Sequence, residues 1–364
     1  MTRFDEIFSD LPDPRADNAR HDLVEVLFIA FLATLCGATS CSDMEDYGLA
    51  KEALLRQVLA LEHGIPSHDT FSRVFRMLDP KAFEAAFRDF MAVFGAAAKL
   101  GKTKGVVAID GKSLRGAYEA GQSHMPRLMV AAWGAQTRMV LANVLAQNND
   151  EAGAALQLIA LVALKGCVVT ADALHCHRKM AEAIVGRGGD YVLAVKDNQP
   201  GLLRDAKAAL AVLPQNVEPA KSTDSRHGRK ESRTALVTSA PGMAAKHAFT
   251  GLKAVAKIVC RRGKDKPVER YFLLSRQYTA TALLAIVRAH WGIENTLHWT
   301  LDVVMDEDLA RNRKDYGPEN LAVLRRMALN ITRAHPDTKT SLRLKIKRAG
   351  WDDNFLFELI RHMR

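Results

Sequence analysis

Residues 106–116 read VVAIDGKSLRG and residues 167–178 read CVVTADALHCHR. Each begins as a short β-branched, apolar run and stops at a carboxylate: Asp110, followed by the backbone breaker Gly111, and Asp172, just beyond Cys167 to Thr170. Runs of this kind bounded by Gly or Asp read as strands. Working outward, Leu128 to Trp133 and Met139 to Leu145 flank GAQTR as the arms of a hairpin, and Ala154 to Leu164 has helical composition. After Asp172 come a helix in HRKMAEAIVG, a strand in YVLAVK and a helix in PGLLRDAKAALAVL. The chain therefore alternates in the manner of an α/β domain.

That order, three strands, helix, strand, helix, strand, helix, is what a ribonuclease-H-like core requires, a mixed sheet flanked by helices. Its first and fourth strands lie side by side, so the acidic ends at Asp110 and Asp172 would share one cleft. A third carboxylate, Glu294, sits within TALLAIVRAHWGIENTLHWTLDVV, residues 281–304, a run of good helix formers. Asp172 and Glu294 are too far apart in sequence for one helix and loop, so residues 213–280 read as an insertion. TALVTSA, AVAKIVC and ERYFLLS make that insertion β-rich. The catalytic domain then spans residues 105–330. Two strand-end aspartates and a helical glutamate are a hard-oxygen set suited to Mg²⁺ or Mn²⁺. Two such ions are the apparatus of phosphodiester chemistry, with Asp110 bridging them and Asp172 and Glu294 each holding one. A lone aspartate at a strand end is ordinarily a turn or helix cap; two, in an ordered core, argue for a site.

The 364 residues carry a formal charge of +10 and a pI of about 9.4, which suits a polyanionic partner. Residues 1–100 hold 10 Lys and Arg against 16 Asp and Glu, whereas residues 311–364 hold 13 against 6. A nucleic-acid footprint should thus centre on the middle of the chain and the basic tail, residues 331–364. Five scattered cysteines without a CxxC pair argue for reduced thiols. The run from Leu23 to Leu35 is too short to cross a bilayer and no leader is legible, so the expected location is the cytoplasm, on the nucleoid.

Residues 1–98 read as a helical module. Ser42 with Glu45 offers a capping box; GIPS separates this run from HDTFSRVFRMLD, giving a candidate helix-turn-helix with Ser67, His68, Thr70, Ser72 and Arg73 outward. The acidity of the module equally suits packing or dimerisation. Asp79-Pro80 starts a third helix, and residues 97–104 read as a linker. Around the carboxylates, Lys112, Arg115, Lys196, His227, Arg229 and Arg233 could meet phosphates. His290, Glu294, His298 and Asp302 recur every four residues on one helical face, with Trp291 beside them as a stacking platform. Zinc is disfavoured because no HExxH is present; a hydrolytic triad from Ser113, His175 and His177 lacks a GxSxG elbow.

Longer strings carry a resemblance. DLPDPR at 10–15, IPSHDTFSRVF at 65–75, AIDGKSLRG at 108–116, TADALHCHR at 170–178, YVLAVKDNQ at 191–199, HGRKESR at 227–233, HWGIENTLHWTLDVVMDED at 290–308 and NLAVLRRMALN at 320–330 occur in this order, as does the closing KIKRAGWDDNFL. The chain resembles the DDE transposases of bacterial insertion sequences, in the branch of the H-repeat-associated proteins. The resemblance implies cleavage of element ends and their joining to target DNA, by Asp110, Asp172 and Glu294 with divalent ions. It also implies double-stranded DNA as partner, and a homodimer is expected. One departure stands out: branches that cut through a DNA hairpin carry Tyr, Arg and Lys where this chain has Val287, His290 and Leu301.

Overall fold

A computed structural model describes residues 2–97, 105–119, 122–212, 218–226 and 229–361. The chain opens with helices α1 (Thr2–Phe8), α2 (Leu23–Leu35), α3 (Cys41–Ala50), α4 (Glu52–Leu55), α5 (His68–Met77) and α6 (Pro80–Ala97). Strands β1 (Gly105–Glu119), β2 (Gln122–Gly134) and β3 (Met139–Ala146) precede α7 (Glu151–Leu161), β4 (Cys167–Ala171), α8 (Arg178–Gly186), β5 (Asp190–Val195) and α9 (Pro200–Ala211). Strands β6 (Ala220–Arg226) and β7 (Arg229–Ser239), the short α10 (Met243–His247), then β8 (Ala254–Arg262) and β9 (Val268–Leu274) follow. The chain closes with α11 (Ala280–His290), α12 (Trp299–Val303), α13 (Gly317–Ala334), α14 (Leu342–Trp351) and α15 (Asp353–Ile360).

The fold is mixed α/β, with one sheet in the order β3-β2-β1-β4-β5-β9-β8-β7-β6. The first three strands form an antiparallel meander, and β4 and β5 lie parallel to β1. Strand β9 then adds antiparallel to β5, so β6 to β9 lengthen the same sheet. Alternation along β1 separates two faces. Val107 and Ile109 pack with α7, α8 and α9, while Val106 and Ala108 face α11 and the remaining helices.

Two local expectations are corrected. Strand β1 does not stop at Asp110: its antiparallel pairing with β2 continues past Gly111 through Leu114, so Gly111 is held as a strand residue. What ends is the other neighbour, β4, whose last pair is Ala171 with Ile109. Asp110 thus lies where the sheet loses one partner and a gap opens beside β1. The N-cap of α3 is Ser40, paired in a capping box with Asp43 rather than Ser42 with Glu45. Glu45 instead accepts from the backbone N–H of His68 at 3.0 Å and meets its Nδ1 at 2.7 Å, joining α3 to the start of α5.

The helices of residues 2–97 share one core with α13, α14, α15 and Trp133. Helix α13 is buried from Gly317 to Thr332. Asn330 covers the outer edge of β3, accepting from the Val140 N–H at 2.9 Å and donating to its carbonyl at 2.8 Å. The basic tail is packed rather than loose: Phe355, Leu356, Leu359 and Ile360 are buried, Lys345 is buried, and Arg348 lies over the Phe355 ring at 4.4 Å. Arg343 and Lys347 remain exposed. Because Leu356 is fully enclosed, Leu356→Ala should lower unfolding stability by about 2–5 kcal/mol. A chemical denaturation midpoint at the wild-type value would mean that the tail is not part of the core.

Candidate active site

Asp110 and Asp172 each stand one residue beyond the last β1–β4 pair, on the face that carries α11. Asp172 also caps the turn Ala173–His175, accepting from the Leu174 N–H at 2.8 Å. Glu294 reaches the same region from a turn of π-helix, Ile293–His298, inserted between α11 and α12. Such wide turns concentrate at functional sites. Burial raises the Asp110 carboxyl to about 7, reinforced by the negative charges of Glu294, Glu151 and Asp172. Glu294 is raised as well, by burial first, with Arg270 opposing and Asp172 adding to the shift. Negative charge is thus concentrated around Asp110. Among the described residues, no three His, Cys, Asp or Glu side chains already stand close enough to enclose a metal ion.

A cavity of about 350 Å³ adjoins these groups, lined by Asp172 and Glu294, by Thr170, His290 and Trp291, and by Lys196, Lys207 and Arg270. The Arg270 guanidinium lies 4.8 Å from the Trp291 ring centre, and Lys207 lies 5.3 Å from the Tyr271 ring. The site thus pairs carboxylates with a cationic, aromatic wall.

The predicted helical stripe does line up. His290 Nδ1 lies 3.0 Å from Thr170 Oγ1, His298 Nδ1 lies 3.8 Å from Asp110 Oδ2, and Asp302 Oδ1 lies 2.7 Å from Lys112 Nζ. Burial lowers both imidazoles to about 4. For His298 the nearby Arg326 and Lys112 add to the effect, and for His290 Asp172 works against it. Both rings are therefore held in the neutral form near pH 7; His290 is hydrogen-bonded to Thr170, and the Nε2 of His298 is buried without a partner.

The family model described as Transposase DDE domain matches residues 101–331, and the one described as DDE_Tnp_1-associated matches residues 6–91. The chain belongs to the DDE transposases. It is an enzyme of insertion-sequence transposition. YbfL of Escherichia coli K12 is 33% identical over 98% of this chain and 97% of its own. The H repeat-associated protein YhhI of the same strain is 32% identical over 98% and 97%. A solved piggyBac transposase synaptic complex with hairpin DNA aligns over 100% of this chain and 77% of its own, at 14% identity and a TM-score of 0.43.

In this transposase the expected cations divide. Lys196 is exposed on the cavity wall. Lys112 is not offered to solvent: its Nζ lies 2.7 Å from Asp302, 3.3 Å from Glu307 and 3.0 Å from Asp308, and the residue is only 7% exposed. Arg115 is exposed and touches Asp308 at 3.3 Å. Arg233 lies well along β7, held by Glu231 at 2.7 Å and Asp224 at 3.3 Å. Arg229 begins β7, and His227 lies outside the described residues. The departures at Val287 and Leu301 are packing positions, both buried, and His290 binds Thr170. Sequence reading missed Glu151, Lys207 and Arg270; only tertiary contact brings them to the carboxylates, and no local pattern marks them.

Lys112 and Glu307 are the centre of a buried ionic cluster, with Arg326 Nη1 2.8 Å from Glu307. Removing one partner of such a cluster leaves charge uncompensated, so Lys112→Met should destabilise by about 3–5 kcal/mol. A lysine serving only phosphate would cost about 0.5 kcal/mol or less. Thermal or urea unfolding without DNA distinguishes the two.

Proposed function

We propose that Asp110, Asp172 and Glu294 form the metal-binding carboxylates of a ribonuclease-H-like core that cuts element ends and joins them to target DNA. The core assignment is supported by the order β3-β2-β1-β4-β5, antiparallel over the first three strands and parallel over β1, β4 and β5. The observation that carries the site is the convergence of Asp110 and Asp172, each one residue beyond the last β1–β4 pair, with Glu294 on the wall of the same cavity as Asp172; burial first, and then the charges of Glu294, Glu151 and Asp172, raise Asp110 to about 7. A divalent cation offsets such negative charge, and an all-oxygen set suits Mg²⁺ or Mn²⁺. Two ions bound there would activate a water or 3′-hydroxyl and stabilise the departing oxygen.

The protein's own groups do the rest. Lys196, Lys207 and Arg270 draw the phosphate backbone toward Asp172 and Glu294. Trp291, backed by Arg270, offers a ring face to a base. Neutral His290 fixes Thr170, one pair before the end of β4, and neutral His298 stands beside Asp110. Residues 1–98 would serve end recognition or dimerisation, residues 213–280 would bring His227 and Arg229 to DNA from an insertion, and residues 331–364 would add non-specific affinity through Arg343 and Lys347. A second copy of the chain would complete a homodimer on two element ends.

Asp110→Asn, Asp172→Asn and Glu294→Gln should each abolish Mg²⁺-dependent cleavage and strand transfer on the element's own ends while retaining DNA binding. Near-normal cleavage by one variant removes that residue from the site. The metal-free protein gives a second readout. Burial first, with the neighbouring carboxylates, raises Asp110 in the folded state from its ordinary value near 3.8 to about 7, so the stability it contributes is complete below its unfolded value and lost as pH rises toward 7. Asp110→Asn should therefore stabilise the metal-free protein at pH 8 by at least about 1 kcal/mol, less than the equivalent of one pKa unit. A lower unfolding temperature for the variant would contradict this.

A further inference from the structure

We infer that Glu151 is a fourth carboxylate of the divalent-cation site, held in place by the buried imidazole of His175. The inference rests on the metal-site reading above and extends it to a residue outside the three-carboxylate set.

Glu151 is the first residue of α7, on the sheet face opposite α11. Its carboxylate lies against β1 at Gly111, the residue after Asp110. A Cβ built on Gly111 would lie 2.7 Å from Glu151 Oε1 and 2.9 Å from its Cδ, so a side chain after Asp110 would push this carboxylate from its place. Beyond Ala171 no β4 residue pairs with β1. Among the charges acting on Asp110, Glu151 ranks after Glu294 and ahead of Asp172. The negative charge of Glu151 thus bears on Asp110 as the charges of the other two proposed ligands do.

The support behind Glu151 is of the kind that orients a metal ligand. His175 is 0% exposed, and its Nε2 lies 3.2 Å from Glu151 Oε1. It closes the turn that Asp172 caps. One short turn therefore carries a proposed ligand at its start and the holder of another at its end. Its remaining ring nitrogen, Nδ1, is buried without a partner, so packing and Glu151 alone define the ring. Carboxylates and imidazoles that orient ligands in this way typically change metal affinity by about 10- to 100-fold when replaced. His175 is a positioning residue: it acts through Glu151 and not on the ion.

The test is Mn²⁺ binding by the full chain without DNA, followed by electron paramagnetic resonance of the free ion, with the Mg²⁺ requirement for cleavage measured alongside. Glu151→Gln should weaken Mn²⁺ binding by about 100-fold, the upper end of the range for groups that act through a ligand, and raise the Mg²⁺ concentration for half-maximal cleavage in step. His175→Asn should give a smaller shift in the same direction. Gly111→Ala, which crowds the Glu151 carboxylate without touching its charge, should reproduce the weakened binding and serves if Glu151→Gln fails to fold. Asp110→Asn is the control. Wild-type Mn²⁺ affinity in Glu151→Gln or Gly111→Ala, with affinity lost in Asp110→Asn, overturns the fourth carboxylate and leaves the three-carboxylate site standing. Wild-type affinity in Asp110→Asn overturns both.

Discussion

The Lys112 ammonium is the fastener on which the geometry of the site depends. It projects from β1 two residues after Asp110 and gathers Asp302, Glu307 and Asp308. Those carboxylates follow the turn that carries Glu294. Glu307 is tied in turn to Arg326 on the buried helix α13. Burial would raise Glu307, yet Arg326 and Lys112 hold it at about 2, so its charge persists in the interior. The strand with Asp110, the helix with Glu294 and the central pillar α13 are thereby locked together, although Lys112 and Asp302 are far apart in sequence. A DDE transposase must keep carboxylates from distant parts of the chain in fixed relation, and preorganisation of this kind is what catalysis by positioned charge demands.

The same arrangement costs stability elsewhere. Burial, with the nearby charges of Glu294, Glu151 and Asp172, drives Asp110 up to about 7 where the sheet loses a partner strand. Such conflict is a frequent mark of function, because natural sequences break local rules chiefly at working sites. The π-helical turn at Ile293–His298 belongs to the same pattern. It lets His290 reach Thr170, His298 approach Asp110 and Asp302 meet Lys112 from one continuous helical region.

Much of this was legible in the sequence because period-2 and period-3.6 patterns are local. The meander, the strand before Asp172, YVLAVK and the helix starting at Pro80 all follow from spacing and turn chemistry. Glu294 was legible through its flanking HWGIENTLHW string, although the widened turn around it leaves no mark in apolar spacing. Gly111 misled, since an isolated glycine reads as a breaker while the neighbour β2 holds it in the ladder. Two serines two residues apart, Ser40 and Ser42, made the start of α3 ambiguous, and the reach of Asp43 to the Thr39 and Ser40 N–H groups decided it. Lys112 looked like a phosphate contact because its acidic partners lie nearly two hundred residues away. Glu151, Lys207 and Arg270 were silent for the same reason: an isolated charged residue gains meaning only from what the fold brings beside it.

The claim that Asp110, Asp172 and Glu294 close around divalent ions is tested most directly by replacing the ion with one that marks its own position. Fe²⁺ substituted for Mg²⁺, with ascorbate and peroxide, generates hydroxyl radicals at the bound metal and cuts the nearest backbone. Fragment mapping of the full chain should show cuts clustered near residues 110, 172 and 294, suppressed by excess Mg²⁺. Cuts that cluster elsewhere, or a diffuse pattern indifferent to Mg²⁺, would contradict a metal centre at these carboxylates.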